Sequence, residues 1–170
     1  MTEDERELIF SLATVPGQAA GVNKEEFLQK FRPFADRNDI VNALLNEAYG
    51  SMGPGNVEAA MIAGFMLGFT PRDLNTLCEL AAADWHFEHE NIASALAELK
   101  SPDSVDVLYA LTQWVPDYLK FDDARALAVK AIWALGGIPS QKARDKLTKL
   151  IHSQDPILRE IASQVNSRTS

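Results

Sequence analysis

The chain has 170 residues, 46% of them apolar and 24% charged, ordinary values for a soluble globular domain with a sizeable core. Its single cysteine, Cys78, excludes an internal disulfide framework, and its apolar runs, such as Ala59 to Phe69, are glycine-broken and too short to span a bilayer. Net charge is −8, but residues 73–123 alone hold eleven acidic and two basic side chains, a field that disfavours nucleic acid and anionic membrane.

Alanine and leucine dominate and β-branched residues are sparse, which favours helix throughout. Residues 3–13 read as a helix with Leu8, Ile9 and Leu12 inward and acids in its first turn. Val15 to Val22, with Pro16, Gly17 and Gly21, reads as a loop. Asn23 and Glu26 have capping-box spacing and open a second helix that uses Phe27, Leu28 and Phe31. Pro33 ends or kinks it. A third helix runs from about Asp36 to Tyr49 with Val41, Leu44, Leu45 and Ala48 inward and Gly50 as its C-terminal stop.

Ser51 to Asn56 is a turn cluster. Residues 57–67 predict a small-residue helix with Ala60, Ala63, Gly64 and Leu67 inward, stopped at Gly68. Thr70-Pro71 and Ser101-Pro102 are cap-plus-proline starts. The helices they open bury Leu74, Leu77, Cys78 and Ala81, and Val105, Leu108, Tyr109 and Thr112. Between them Ile92, Ala95, Leu96 and Leu99 mark another helix. Trp114 to Phe121 is a longer connection, interrupted at Pro116. Residues 122–135 give the clearest stripe: Ala124, Leu127, Ala128, Ala131, Ile132 and Leu135, ended by Gly136-Gly137. Ala143, Leu147, Leu150 and Ile151 mark the next helix. Asp155-Pro156 starts the last, with Leu158, Ile161, Ala162 and Val165. No segment alternates with period two, so no sheet is expected.

The helices pair. A shift of 36 residues lays Ala95, Leu96 and Leu99 on Ala131, Ile132 and Leu135, and a shift of 34 lays Arg125, Leu127 and Ala128 on Arg159, Ile161 and Ala162. A shift of 32 lays Ala63 and Leu67 on Ala95 and Leu99. A drifting period in the thirties, two helices per unit, predicts an all-α fold of the α-solenoid type within one domain, 1–170. Residues 1–50 would form an N-terminal helical cap. Repeats would occupy 57–170, in units near 57–84, 85–120, 121–152 and 153–170.

Asp155-Pro156-Ile157-Leu158-Arg159 and the Ala-Ile-Trp-Ala-Leu-Gly run at 131–136 resemble HEAT-type repeats. A narrower resemblance is carried by four motifs: Asp84-Trp85-His86-x-x-His89-Glu90, Leu99-x-x-Pro102, Tyr118-Leu119-x-Phe121-Asp122-Asp123 and Lys130 to Leu135. Together they resemble small bacterial HEAT-repeat proteins of the immunity-protein type, the inhibitors in contact-dependent and polymorphic toxin systems. That resemblance covers roughly residues 80–166. It implies HEAT-like hairpins and a non-enzymatic protein that neutralises a cognate toxin domain.

Candidate chemistry is thin. His86 and His89 stand i, i+3 at one predicted helix start, and Asp122 or Asp123 in the next unit would complete a metal set. The spacing misses His-Glu-x-x-His, so hydrogen bonding between neighbouring repeats is the stronger reading and no cofactor is expected. No nucleophile elbow, P-loop or dinucleotide fingerprint is present. Cys78 lies on an apolar face and reads as a buried thiol.

The expected function is therefore occlusion of a basic, nuclease-type toxin domain through an acidic surface. The contact residues would be Glu88, Glu90, Asp117, Asp122 and Asp123, with Trp114, Tyr118 and Trp133 as anchors or, for Trp133, as filler between repeats. The partner would be a cognate basic protein in the cytoplasm, not nucleic acid or membrane; the acidic N-terminus is unlike a secretory signal. The alternatives are a HEAT-like lyase, a metal-dependent enzyme using His86 and His89, or a general interaction scaffold whose basic end (Lys142, Arg144, Lys146, Lys149) meets acidic protein or RNA.

Overall fold

A computed structural model describes residues 1–13, 21–31 and 39–169, and every regular element among them is helical. Most of the expected Val15–Val22 loop, the break at Pro33 and the helix start at Asp36 lie outside the described residues. The chain divides into two compact units: Met1–Thr76 with Trp85–Glu88, and Leu77–Asp84 with His89–Ser170. Among the described residues no helix is long and apolar enough to cross a membrane.

The first unit contains α1 (Glu3–Phe10), α2 (Lys24–Lys30), α3 (Ile40–Ser51) and α4 (Pro54–Leu67). A full capping box starts α1: the Thr2 hydroxyl accepts from the Glu5 N–H at 3.2 Å, and the Thr2 N–H donates to the Glu5 carboxylate at 2.8 Å. The Asn23 side chain caps α2 through the Glu26 N–H at 2.9 Å. Ile9, Leu12, Phe27, Phe31, Val41, Leu44, Leu45 and Ala48 are buried as their spacing predicts, and the Phe27 and Phe31 rings stack 4.8 Å apart.

Two boundaries differ from expectation. The third helix passes through Gly50 and stops on Met52 in the left-handed conformation (φ 48°). The fourth begins at Pro54, within the stretch that reads as a turn, because proline at the first helical position has no N–H to satisfy. Gly64 serves α4 locally: a Cβ there would overlap the Phe69 ring just beyond the helix end, so the side chain that needs the missing methyl is five residues away. Gly68 (φ 102°) turns the chain so that Phe69 can fold back.

Thr70 and Asp73 form a second capping box around a 3-10 turn, Pro71–Asp73, that leads into α5 (Leu74–Ala81). The second unit then contains α6 (His89–Leu99), α7 (Val105–Gln113), α8 (Ala126–Gly137), α9 (Gln141–Ile151) and α10 (Pro156–Thr169). The middle helix, α8, packs against α6, α7, α9 and α10, while α9 packs against α7 and α10. Its buried face is Leu127, Ala128, Ala131, Ile132, Ala134 and Leu135. Alanines at three of those positions let neighbouring helices approach closely.

The start of α8 is a correction. Residues 122–125 are not helical, and Ala124, placed on the inward stripe by its spacing, is exposed. The reason is local hydrogen bonding. The Asp122 carboxylate accepts from the Ala124 N–H at 3.1 Å and the Ala126 N–H at 2.6 Å, and Arg125 takes the left-handed conformation (φ 54°). Capping won over apolar periodicity.

Candidate protein-interaction site

The connection from Trp114 to Arg125, in the second unit, collects most of the predicted contact residues and is built to hold one shape. Trp114 ends α7 in extended backbone, its N–H bonded to the Ala110 carbonyl at 3.2 Å. Pro116 is buried, and Asp117–Leu119 form a 3-10 turn closed by the Leu119 N–H on the Pro116 carbonyl at 2.9 Å. The Asp122 N–H then bonds to the Leu119 carbonyl at 3.0 Å, and the Arg125 N–H to the Asp122 carbonyl at 3.1 Å. Trp114, Val115, Pro116 and Leu119 face Leu127 and Ala128 across a small hollow, so apolar contact backs the turn.

His89 braces this connection. Its ring is fully buried at the first position of α6. The Nε2–H donates to the Ala83 carbonyl at 2.7 Å, since a carbonyl can only accept. In the neutral ring, Nδ1 then accepts from the Tyr118 hydroxyl at 2.9 Å. The imidazole meets Trp114 edge to face at 4.8 Å and stacks on Tyr118 at 5.7 Å. One histidine thus ties the end of α5, the end of α7 and the turn after it to the start of α6.

A second tie sits at the other end of the connection. The Arg125 guanidinium bonds to the Asp155 carboxylate at 2.6 Å and to the Thr112 carbonyl at 3.0 Å. Asp155 also caps α10 through the Ile157 N–H at 2.9 Å. Three helix ends therefore meet at two half-buried charges. The 34-residue shift matches Arg125 to Arg159; the sequence signal for its partner is the Asp-Pro helix start at Asp155-Pro156.

The predicted site residues fare differently. Tyr118 and Trp114 are half-buried and serve the brace. Asp122 is committed to capping α8. Asp117 is exposed and pairs with Lys120 at 2.9 Å, an i, i+3 surface contact worth little to folding. Asp123 is exposed. Glu90, on α6, pairs with Lys130 on α8 at 2.9 Å. Trp133, on α8, is 39% exposed, with the guanidinium of Arg168 on α10 4.9 Å over its ring. The residue that spacing missed is Phe121, at 95% exposure the most exposed large apolar side chain among those described.

The histidine pair is also corrected. His86 is buried in the first unit and precedes α6 rather than lying on it. Its Nδ1 accepts from the Glu88 N–H at 3.1 Å, which makes a side-chain turn before the helix, and its ring meets Trp85 edge to face at 5.2 Å. Glu88 itself is half-buried in that same turn. Among the described residues no group of three or more His, Cys, Asp or Glu side chains is placed to hold a metal ion.

Two further groups bear on the alternatives. Lys142 and Lys146 of the basic C-terminal segment both pair with Asp106, at 2.6 and 3.0 Å, and those bonds hold the Asp106 carboxyl below its ordinary range. Lys146 also lies 4.4 Å from the centre of the Tyr109 ring. Two of the four cations of that segment thus share one carboxylate, and Arg144 bonds the neutral Gln141 side chain. Cys78 is half-buried, and burial first, then the nearby charges of Asp103 and Glu79, raise its thiol pKa. A raised pKa leaves less thiolate at neutral pH, the opposite of an activated nucleophile. Alkylation by iodoacetamide should therefore reach half-maximal rate at a higher pH in native protein than in urea-unfolded protein; a lower midpoint would reverse the assignment.

No protein-family model, no curated protein and no solved structure matches this chain.

Proposed function

We propose that the chain is a non-enzymatic binding protein, an immunity protein that occludes a basic toxin domain of the nuclease type. The observation that carries this reading is the braced 114–125 connection. It turns Asp117, Phe121 and Asp123 outward from a segment of the chain, residues 73–123, with eleven acidic and two basic side chains. An acidic surface steers a basic partner into fast association and occupies the groove where a nuclease would hold a polyanion. The resemblance of residues 80–166 to immunity-type HEAT proteins supports the same reading. Within the second unit α7 packs on α8 and α9 on α10, as the two helices of a hairpin would, and α7 on α9 and α8 on α10, as such hairpins would when stacked. We take α7–α10 to be such a stack, with α6 packed on α8 at its end.

The test is charge reversal at Asp117 and Asp123 together. These two carboxylates contribute little to the fold, whereas reversal at Asp122 would also remove the cap of α8. A basic protein would be captured on the immobilised chain, identified, and expressed for kinetics. The double reversal should slow association about tenfold at low salt and flatten its salt dependence, with thermal stability unchanged. Expression of the captured protein alone should be toxic, and co-expression of this chain should relieve it. A captured protein that is acidic, or association unaffected by the reversal, would reject the proposal.

A further inference from the structure

Phe121 has no role in the fold. At 95% exposure its ring leaves almost all its surface in water, while the residues on either side are fixed. Tyr118 is held by His89, and Asp122 is held by two backbone N–H groups. The ring is therefore presented on a short, braced turn. A phenylalanine has only two side-chain torsions, so seating it in a partner loses little conformational freedom while removing roughly 200 Å² of aromatic surface from water. Within four residues of it along the chain are three carboxylates, Asp117, Asp122 and Asp123, and two cations, Lys120, which faces Asp117, and Arg125, which is paired with Asp155.

We propose that Phe121 is the central anchor of the binding surface and that its occupant is an apolar pocket, rimmed by lysine or arginine, on a basic protein. This rests on the proposed function and specifies the contact: a protruding ring entering a concave site, not a flat charge-to-charge surface. The acidic rim argues against the other occupants. Two copies meeting symmetrically at this turn would bring like charges together, and an anionic bilayer would repel it. A concave pocket with a basic rim is also the shape of a site that binds a polyanion, so an aromatic plug ringed by carboxylates would block it directly.

The experiment places the photo-crosslinker p-benzoylphenylalanine at position 121, and in a parallel preparation at position 117, of the full chain. Each is irradiated in lysate of the organism that encodes it. The protein crosslinked is identified, expressed, and titrated calorimetrically against the unaltered chain, Phe121→Ala, Phe121→Tyr and Asp123→Lys. The expected result is a basic protein crosslinked from position 121, bound about 100-fold more weakly by Phe121→Ala. Phe121→Tyr, which keeps the ring, should stay within about threefold, and Asp123→Lys should bind about tenfold more weakly at low salt, each variant keeping the parent's thermal midpoint. A basic protein that crosslinks from position 117 but binds Phe121→Ala as tightly as the parent overturns this inference and leaves the proposed function standing. A crosslink to a second copy, to lipid or to an acidic protein, or none from either position, overturns both.

Discussion

Replacing His89 with alanine should lower the unfolding free energy by about 4 kcal/mol, the largest single effect expected in the second unit. Two terms add. The substitution leaves a cavity where a fully buried ring touched Trp114 and Tyr118. It also strips the Ala83 carbonyl and the Tyr118 hydroxyl of their partner. Tyr118→Phe isolates one bond and should lose only about 1 kcal/mol, because the stacked ring remains. Urea unfolding followed by circular dichroism measures both, with the midpoint read at constant m. A metal-ligand role predicts a different pattern: a small stability change in His89→Ala and a lost metal signal. A loss under about 1 kcal/mol would show that His89 does not brace the turn. Because the brace holds the shape of the 114–125 connection, protease cleavage within it should quicken in His89→Ala even under native conditions.

Arg125→Ala should lose about 3 kcal/mol. The Arg125 and Asp155 side chains are 23% and 24% exposed, shielded enough that removing one leaves the other poorly compensated. The Thr112 carbonyl loses a charged donor as well. Arg125 also sits at φ 54°, a conformation that disfavours any side chain and that the two guanidinium contacts hold in place. Arg125→Gly should therefore recover about 1 kcal/mol relative to Arg125→Ala, since glycine adopts this conformation without steric penalty. Asp155→Asn keeps an acceptor for the α10 cap but loses the ion pair. A double-mutant cycle between Arg125→Ala and Asp155→Asn should give a coupling of about 2 kcal/mol. Additive losses would mean that the two charges act independently.

These two residues show where sequence reading stops. Helical period placed Leu44, Leu45, Ile92, Leu96, Ala131, Ile132 and Leu135 in the interior, and all are buried. It works because an amphipathic helix has one apolar face and must hide it, so spacing alone names the side. Caps were equally legible at Asn23 and at Thr70-Pro71, because their partners lie within a few residues. Period failed at Ala124, where a cap four residues long displaced the first turn of α8. Turn composition misled at Pro54, where a stretch rich in turn-forming residues is the start of a helix.

The histidines were legible as a constellation and not as chemistry. Their spacing suggested a shared helix face, but His86 precedes the helix that His89 begins. Whether a buried imidazole binds a metal, moves a proton or holds a loop depends on which atoms lie within about 3 Å of its nitrogens. For His89 those atoms are a carbonyl six residues before it and a hydroxyl twenty-nine residues after it.

By itself, then, the sequence determined that this is a helical chain with acids concentrated between residues 73 and 123, and which side of most helices faces inward. Composition, periodicity and caps act over one or two turns, and those can be read along the chain. The tertiary structure alone decided that Trp114 and Tyr118 close on His89, that Arg125 reaches Asp155, and that Phe121 is left standing in water. Each of those depends on distances between residues far apart in sequence, or on whether a neighbour arrives to cover a side chain. No local pattern carries that information.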